Sequence, residues 1–190
     1  MNKTKIDGMD KNYAIQPLDK DKWQGHEVYF SDFADSCYDV NIRHEADSFS
    51  VSMKKQPLKE REFIKYPQKL FTTGYGDVKS WGVFDGERLV AGIETGIESW
   101  SRNPRLYISL LWVDEDYRRK GIAAALVETA KKRAIDENYR AVFLETWSCN
   151  EHAVAFYLSQ GFKLIGFDSC ANSNEDIEKY NVPLKLGCFV

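Results

Sequence analysis

One stretch of the sequence, residues 106–136, constrains the fold more than any other. Its first part, LYISLLWV at 106–113, is almost entirely apolar, which is typical of a strand covered on both faces of its sheet. A charged turn follows. Gly121 then opens a run in which Ile122, Leu126, Ala130 and Ala134 recur every fourth residue. This spacing predicts a helix from about 121 to 136 with one buried stripe.

The segments on either side extend this pattern into a mixed sheet with helices packed on it. Asp85-Gly86 lies between two strand-like runs, 81–84 and 87–94, and predicts a hairpin. Further strands are predicted at 141–146, 162–167 and 184–190. Ser148 and Glu151 form an S-x-x-E capping box that opens a helix ending near Gln160, with Gly161 at its C-cap. The order predicts an α/β or α+β fold with a mixed central sheet and flanking helices.

The front half of the chain has a less regular pattern. We expect strands at 13–18, 39–42 and 48–53, and a short helix at 58–66 that Pro67 stops. The length of 190 residues argues for one domain over 13–190. Residues 1–12 are polar and are expected to form a flexible tail rather than a signal peptide.

Composition excludes several classes of function. The formal net charge of −3 argues against nucleic-acid binding, which needs a basic face. No run approaches the ~18 apolar residues that a membrane span needs. Four cysteines without a C-x-x-C pair and three scattered histidines predict free thiols and no metal site. We therefore expect a cytoplasmic protein.

The turn between the predicted strand and helix is a candidate phosphate site. Helix N-termini present unpaired backbone N–H groups and the positive end of the helix dipole, and both favour phosphate. Gly121 lets a ligand approach the backbone, Ala123 leaves the next turn bare, and three basic residues, 118–120, precede them. The alternative is a basic surface turn before an ordinary amphipathic helix. The sequence does not match a Walker A motif, because that motif needs Gly-Lys and this chain has Lys120-Gly121. It does not match a dinucleotide-binding motif either, because Lys79 stands where that motif needs its third glycine.

Two motifs resemble those of the GNAT superfamily of N-acetyltransferases. Residues 118–123, RRKGIA, match its Q/R-x-x-G-x-G/A motif, and residues 150–162 match its N-x-x-A-x-x-F-Y-x-x-x-G-F pattern. The resemblance covers about 80–167. Within the superfamily, residues 144–146 and the tail after Phe162 are similar to streptothricin acetyltransferases. The resemblance implies a single GNAT-like domain whose central sheet is splayed at an acetyl-CoA site.

The resemblance also implies roles for individual residues. Tyr157 would donate a proton to the departing thiolate. A free tyrosine has a pKa of ~10 and so carries a proton at neutral pH. The alternative is that Tyr157 is a core residue beside Phe156. The residues implied in acetyl-CoA binding are Leu111, Trp112, Val113, Arg118, Arg119, Lys120, Gly121, Ile122, Ala123, Ala124, Asn150, Ala153 and Phe156.

Attack on a thioester needs an unprotonated amine, so a carboxylate base is expected. Many family members carry an acid in the strand before the first motif, but this chain has Ser109 there and no acid. The candidates are Glu94 and Glu145, both in apolar strands where burial would raise the carboxyl pKa. The alternative is that both are solvated or ion-paired and that no side-chain base exists. Cys149 and His152 form a C-x-x-H pair, which could be a nucleophile and its base. The sequence offers no third residue to orient the histidine, which argues against that role.

Three functions remain open at this point. The first is transfer of an acetyl group from acetyl-CoA directly to a primary amine of a small cationic acceptor, such as a streptothricin-like antibiotic, which would confer resistance. The second is acetylation of a peptide or protein amine. The third is a non-catalytic acyl-CoA-binding module on the same fold. Members of the superfamily are often homodimers, but no sequence feature demands one.

Overall fold

The computed structural model describes residues 4–5, 13–98 and 103–190. The chain divides into two compact units. The first comprises the described parts of Met1–Phe30, Tyr66–Phe143 and Phe189–Val190, and the second comprises Ser31–Lys65 and Leu144–Cys188. Most of the expected tail, 1–12, lies outside the described residues, and the boundary at residue 12 stays a prediction. None of the helices in the described ranges is long and apolar enough to span a membrane.

Ten strands and three helices form the described chain. The strands are β1 Thr4–Lys5, β2 Ala14–Pro17, β3 Glu27–His44, β4 Phe49–Lys69, β5 Gly76–Asp85, β6 Arg88–Ile97, β7 Leu106–Val113, β8 Ala141–Trp147, β9 Lys163–Phe167 and β10 Pro183–Phe189. The helices are α1 Lys20–Trp23, α2 Ile122–Asp136 and α3 Glu151–Ser159, with a 3₁₀ turn at Glu115–Tyr117.

The first unit is built on a sheet with the strand order β1-β2-β5-β6-β7-β8. The first five strands pair antiparallel, and β7 pairs with the start of β8 in parallel. Helix α2 packs on β6 and β7. The predicted hairpin is present, but Asp85 pairs with Arg88, so its two-residue loop is Gly86-Glu87. Gly86 has φ +61°, the sign that a type II′ turn needs at its first loop position.

Two features of β7 shape the neighbourhood of the predicted site. Opposite β6, Glu94 pairs with Leu110 and Thr95 with Ile108, so Ser109 is the extra residue of a β-bulge. On the other edge, the registered pairs with β8 are Leu106–Val142 and Tyr107–Phe143.

The core of the first unit is an apolar cluster on one side of this sheet. Its buried members lie on β3 and β7, in the loop between β2 and α1, and just after β4. They are Leu18, Val28, Leu70, Phe71, Leu110 and Trp112. Burial of each large side chain of this kind contributes about 1.5–3 kcal/mol relative to exposure. Leu110 and Trp112 alternate with half-buried residues, so this end of β7 turns one face toward the cluster.

The second unit contains most of a long hairpin, together with α3 and strands in the order β8-β10-β9. The hairpin strands, β3 and β4, have 18 and 21 residues. The helix predicted at 58–66 is wrong, because those residues lie within β4. A small core joins Val40 of β3, Val154 of α3, and Val182 and Leu184 near and in β10.

The expected capping box at the start of α3 is also wrong. Asn150 is the N-cap, and its side-chain oxygen accepts a hydrogen bond from the Ala153 N–H at 3.2 Å. The Ser148 hydroxyl instead donates to the Tyr180 carbonyl at 2.7 Å and accepts from the Val182 N–H at 3.2 Å. Ser148 is thus drawn to the segment before β10, and the helix begins two residues later than the motif predicts. Gly161 follows the C-cap with φ +83°, as predicted.

Candidate active site

The start of α2 has the backbone geometry of an anion site. Arg119 and Gly121 both have left-handed backbone conformations, with φ +61° and +75°. The first helical hydrogen bond runs from the Ala125 N–H to the Gly121 carbonyl at 3.1 Å. The N–H groups of 122–124 therefore precede the first acceptor of the helix and point out of its N-terminus. No acidic residue lies in the first turn to compete for them.

The space around Gly121 is open. A Cβ placed on Gly121 would meet nothing within 4 Å. Gly121 is exposed, and Ala123 and Ala124 are only half-buried, whereas Ile122 is buried and anchors the helix. The sequence RRKGIA therefore folds into a turn whose backbone at Gly121 is open to a ligand.

The basic side chains before Gly121 brace the turn. Arg118 Nε donates to the Val113 carbonyl at 3.1 Å, and Lys120 Nζ donates to the Asp116 carbonyl at 2.7 Å. Both bonds tie the loop back to the end of β7 and to the 3₁₀ turn. Arg119 is exposed. The positive charge lies where the sequence predicts it, but two of the three cations are held by the loop itself.

The edge of β7 leads into this turn. Leu111 and Val113 are half-buried and Trp112 is buried, so the strand alternates as it approaches the loop. The backbone N–H and C=O groups of this strand are the expected partners for an extended ligand arm.

Glu94 is a deeply buried carboxylate beside the bulge of β7. Its side chain is 1% exposed. Oε1 accepts from the Ser109 hydroxyl at 3.0 Å, and Oε2 accepts from the Phe71 N–H at 2.5 Å. Burial raises the pKa of the carboxyl, and the two hydrogen bonds only partly oppose it. The expectation that burial raises the Glu94 pKa is confirmed.

Glu145 has a different environment. The side chain is exposed on β8, in the second unit, and lies 3.4 Å from the Lys185 ammonium. The expectation that Glu145 is buried is wrong, because the strand turns this position away from its apolar neighbours. Leu144 and Thr146, on either side, are buried.

Helix α3 carries the remaining predicted residues in the second unit. Tyr157 is buried, and its ring makes edge contacts with Phe156 and Phe162 at centroid distances of 5.1 and 5.5 Å. Asn150 uses its side-chain oxygen on the Ala153 N–H, so it is at least a helix cap. Burial raises the pKa of the Cys149 thiol to about 11, which disfavours a thiolate nucleophile there.

Sequence reasoning did not identify two groups that contact Glu94. One is Ser109, which the sequence marks only as a position where an acid is common. The other is the Phe71 backbone, which has φ +56°, an uncommon conformation for a bulky residue. The strand-like pattern of 106–113 carries no signal for a bulge. Only the register between β6 and β7 reveals it.

Comparison with known proteins places the chain in a family. Residues 41–162 match the model of the acetyltransferase (GNAT) family. Human N-acetyltransferase 8 is 45% identical over 65 residues, which are 34% of this chain and 29% of that protein. Streptothricin acetyltransferase of Escherichia coli is 35% identical over 92 residues, 48% of this chain and 51% of that protein. The chain thus spans about a third to a half of these relatives.

A solved structure supports the fold over most of the chain. It is a candidate streptothricin acetyltransferase from Bacillus anthracis, in complex with acetyl coenzyme A. It covers 94% of this chain and 100% of its own, with a TM-score of 0.66 and 18% sequence identity. The predicted α/β fold with a mixed sheet is confirmed. The family match covers the loop before α2, the bulge of β7 and helix α3 together, and the chain belongs to the acetyltransferase (GNAT) family.

Proposed function

We propose that this protein is an N-acetyltransferase that moves an acetyl group from acetyl-CoA directly to a primary amine of a small cationic acceptor. The observation that carries the proposal is the start of α2. Three outward N–H groups follow two left-handed residues there, in the loop that follows β7. This combination suits a ligand with a pyrophosphate and an extended amide-containing arm.

The residues present fit acetyl-CoA as co-substrate. The open space at Gly121 admits a bulky anion to the backbone, and the lack of an acid in the first turn leaves the helix dipole uncompensated. Arg118 and Lys120 hold the turn in place, so that the N–H groups of 122–124 bind the pyrophosphate. The backbone of 111–113 pairs with the pantetheine arm. When bound, acetyl-CoA supplies an activated acetyl thioester.

In the second unit, Asn150, Ala153 and Phe156 are proposed to contact the cofactor arm, as the family motif implies. Tyr157 is proposed to protonate the departing thiolate at its hydroxyl. A proton donor of this kind contributes roughly 10²–10⁴-fold to rate. The tight packing of its ring against Phe156 and Phe162 supports a fixed position for that hydroxyl.

Glu94 is the proposed base and Glu145 is not. An acceptor amine arrives protonated and must lose a proton before it can attack. A carboxylate whose pKa is raised by burial is better matched to that task than an exposed, ion-paired one. The similarity to streptothricin acetyltransferase of E. coli supports a small cationic acceptor.

The test is release of free thiol from acetyl-CoA, with the mass of each product, across a panel of amines. The panel contains streptothricin, aminoglycosides, polyamines, amino acids and lysine-containing peptides. Turnover on a small cationic amine supports the proposal. Turnover on peptides alone would replace it with a peptide acetyltransferase. Acetyl-CoA binding without turnover on any amine would leave a binding module and overturn the catalytic proposal.

A further inference from the structure

Glu94 has a geometric problem as a base. Its side chain is 1% exposed, so an acceptor amine cannot reach its oxygens directly. Oε2 is taken by the Phe71 N–H and Oε1 by the Ser109 hydroxyl. Among the described residues, these two groups are the donors that contact the Glu94 oxygens, so each is a candidate route for a proton.

The two donors differ in what they can do. The Phe71 N–H is an amide, which donates but does not exchange protons at a useful rate in a reaction of this kind. The Ser109 hydroxyl donates one hydrogen bond and has lone pairs that accept another. Only Ser109 can receive a proton on one side while it gives one up on the other.

Ser109 also lies at the right point of the strand. It is the extra residue of the bulge, and bulges redirect side chains. Its side chain is half-buried, in contrast to Glu94. It precedes the strand edge, 111–113, that is proposed to hold the arm of acetyl-CoA. The bulge therefore places the hydroxyl of a half-buried residue against a buried carboxylate.

The backbone at Phe71 holds the other end of this arrangement. A left-handed conformation is unfavourable for a bulky residue and persists only where its surroundings enforce it. Here it aims the Phe71 N–H at Oε2. This bond fixes the carboxylate so that Oε1 faces Ser109. Phe71 is thus a positioning residue.

We propose that Ser109 relays the proton of the acceptor ammonium to Glu94. In this step an N–H bond of the ammonium breaks and an O–H bond to Ser109 Oγ forms. At the same time, the original Ser109 O–H bond breaks and a new O–H bond forms at Glu94 Oε1. The amine is left neutral, Ser109 is unchanged overall, and Glu94 becomes neutral. The inference rests on the proposed acetyl transfer, whose base it connects to the acceptor.

The electrostatics of the site agree with this assignment. Three influences act on the pKa of Glu94: burial raises it, and the Phe71 N–H and the Ser109 hydroxyl lower it. None of the three is a charged side chain. A carboxylate with a raised pKa has the proton affinity to draw a proton through the hydroxyl.

The test compares Ser109→Ala and Ser109→Thr with Glu94→Gln and a matched control, Ser80→Ala. Ser80 is buried on β5 directly opposite Glu94, but its hydroxyl donates to the Ile93 carbonyl at 3.1 Å and not to the carboxylate. The relay predicts that Ser109→Ala and Glu94→Gln each lower kcat by roughly 10²-fold. Ser109→Thr retains most of the rate because it keeps a hydroxyl, and Ser80→Ala behaves as wild type.

A second readout needs no turnover. Carbon-13 NMR of labelled glutamate follows the Glu94 carboxyl, which is assigned by its absence in Glu94→Gln. Ser109→Ala removes a donor that lowers the pKa, so the Glu94 titration moves to higher pH in the protein alone. Ser80→Ala leaves it in place. Unchanged CoA affinity in each variant checks that the fold is intact.

The outcomes separate the relay from the function on which it rests. If wild-type protein transfers acetyl to no amine in the panel, the proposed function fails and the relay fails with it. If wild-type protein is active and Ser109→Ala keeps its rate, only the relay is overturned. A Glu94 titration that does not move in Ser109→Ala also overturns it.

Discussion

The Ser109 hydroxyl donates to Glu94 Oε1 across 3.0 Å, from the bulged position of a neighbouring strand. The chain therefore lacks an acid on β7 but has one within hydrogen-bond reach of that strand. The carboxylate comes from β6, and the bulge brings a hydroxyl of β7 to it. This relationship makes the absence of an acid at 109 compatible with catalysis.

The burial of the Glu94 carboxylate should make the free energy of unfolding depend on pH. The raised pKa of Glu94 means that the folded state binds its proton more tightly than the unfolded state, whose value is near 4.5. The favourable contribution of the neutral carboxyl is present below that value and is lost as the pH rises through the raised pKa. A tenfold difference in proton affinity between the folded and unfolded states corresponds to about 1.4 kcal/mol of stability.

We therefore expect Glu94→Gln to raise the melting temperature at pH 9 relative to wild type, and to lose that advantage near pH 4. Thermal unfolding across pH 4–9 measures this. Glu145→Gln is the control, because Glu145 is exposed and should change little at any pH. A pH-independent effect of Glu94→Gln would contradict the burial argument.

Gly121→Ala should weaken CoA binding. The residue has φ +75°, a region that disfavours a Cβ although nothing lies within 4 Å of it. The substitution strains the turn and puts a methyl group where the pyrophosphate approaches the backbone. We expect CoA affinity, measured by calorimetry, to fall by roughly tenfold or more, which corresponds to about 1.4 kcal/mol.

Gly86→Ala is the matched control for this change. Gly86 also has a positive φ, +61°, with nothing within 4 Å of an added Cβ, but it lies in the β5–β6 hairpin loop. Both variants should lose a similar amount of stability, about 1 kcal/mol. Only Gly121→Ala should lose CoA affinity. Equal losses of affinity would mean that the α2 start is not the phosphate site.

Tyr157→Phe should slow turnover and leave CoA binding intact. The variant keeps the ring that packs against Phe156 and Phe162 and removes only the hydroxyl. We expect kcat to fall by roughly 10²-fold. Tyr180→Phe removes another partly buried hydroxyl of the same unit, which accepts from Gln56 Nε2 at 3.1 Å, and should keep its rate. A Tyr157→Phe variant with normal kcat would make Tyr157 a core residue only.

Glu151 should stabilise the second unit in a pH-dependent way. Burial alone would raise its pKa, but the Lys55 ammonium, the Ser36 hydroxyl and, to a smaller extent, His152 outweigh burial and lower the pKa to about 2. The stabilising effect is complete above the unfolded value near 4.5 and is lost as the pH falls through about 2.

Glu151→Gln should therefore lower the free energy of unfolding at pH 7 by about 1–2 kcal/mol, since Lys55 is half exposed and solvent screens the pair. Urea denaturation at pH 7 and at pH 2–3 measures the difference, which should shrink in acid. Glu175→Gln breaks an exposed pair with Lys179 and should change stability by under about 0.5 kcal/mol. A loss of equal size at both pH values would exclude the charge as its cause.

The sequence predicted the back half of the fold well, for physical reasons. The recurrence of apolar residues at every fourth position correctly predicted α2. The Asp-Gly pair predicted the β5–β6 hairpin, and the loop lies one residue further along the chain than predicted. The prediction of a helix at 58–66 was wrong because pairing with β3, rather than the local hydrophobic pattern, determines the conformation of β4. Most of its side chains are exposed, so no strict alternation marks it as a strand.

The two candidate bases illustrate the same limit at the site. Glu94 and Glu145 both lie in apolar strands, and local sequence does not say which face of each strand is covered. Burial of Glu94 depends on the segment at Phe71, which is distant in the chain. Glu145 is exposed and is paired with Lys185, which lies on β10 and is also distant in the chain. Such contacts are set by tertiary packing.

The most direct test of acetyl transfer measures the free thiol released and the acetylated amine formed in the same reaction, with wild-type protein and the amine that the panel identifies. The intact mass of the protein is recorded after mixing with acetyl-CoA alone. Direct transfer predicts one thiol for each acetylated amine, with both products dependent on the acceptor, and no mass increase in the protein. Thiol release without acetylated amine, or an acetylated protein that forms before the amine is added, would contradict the account.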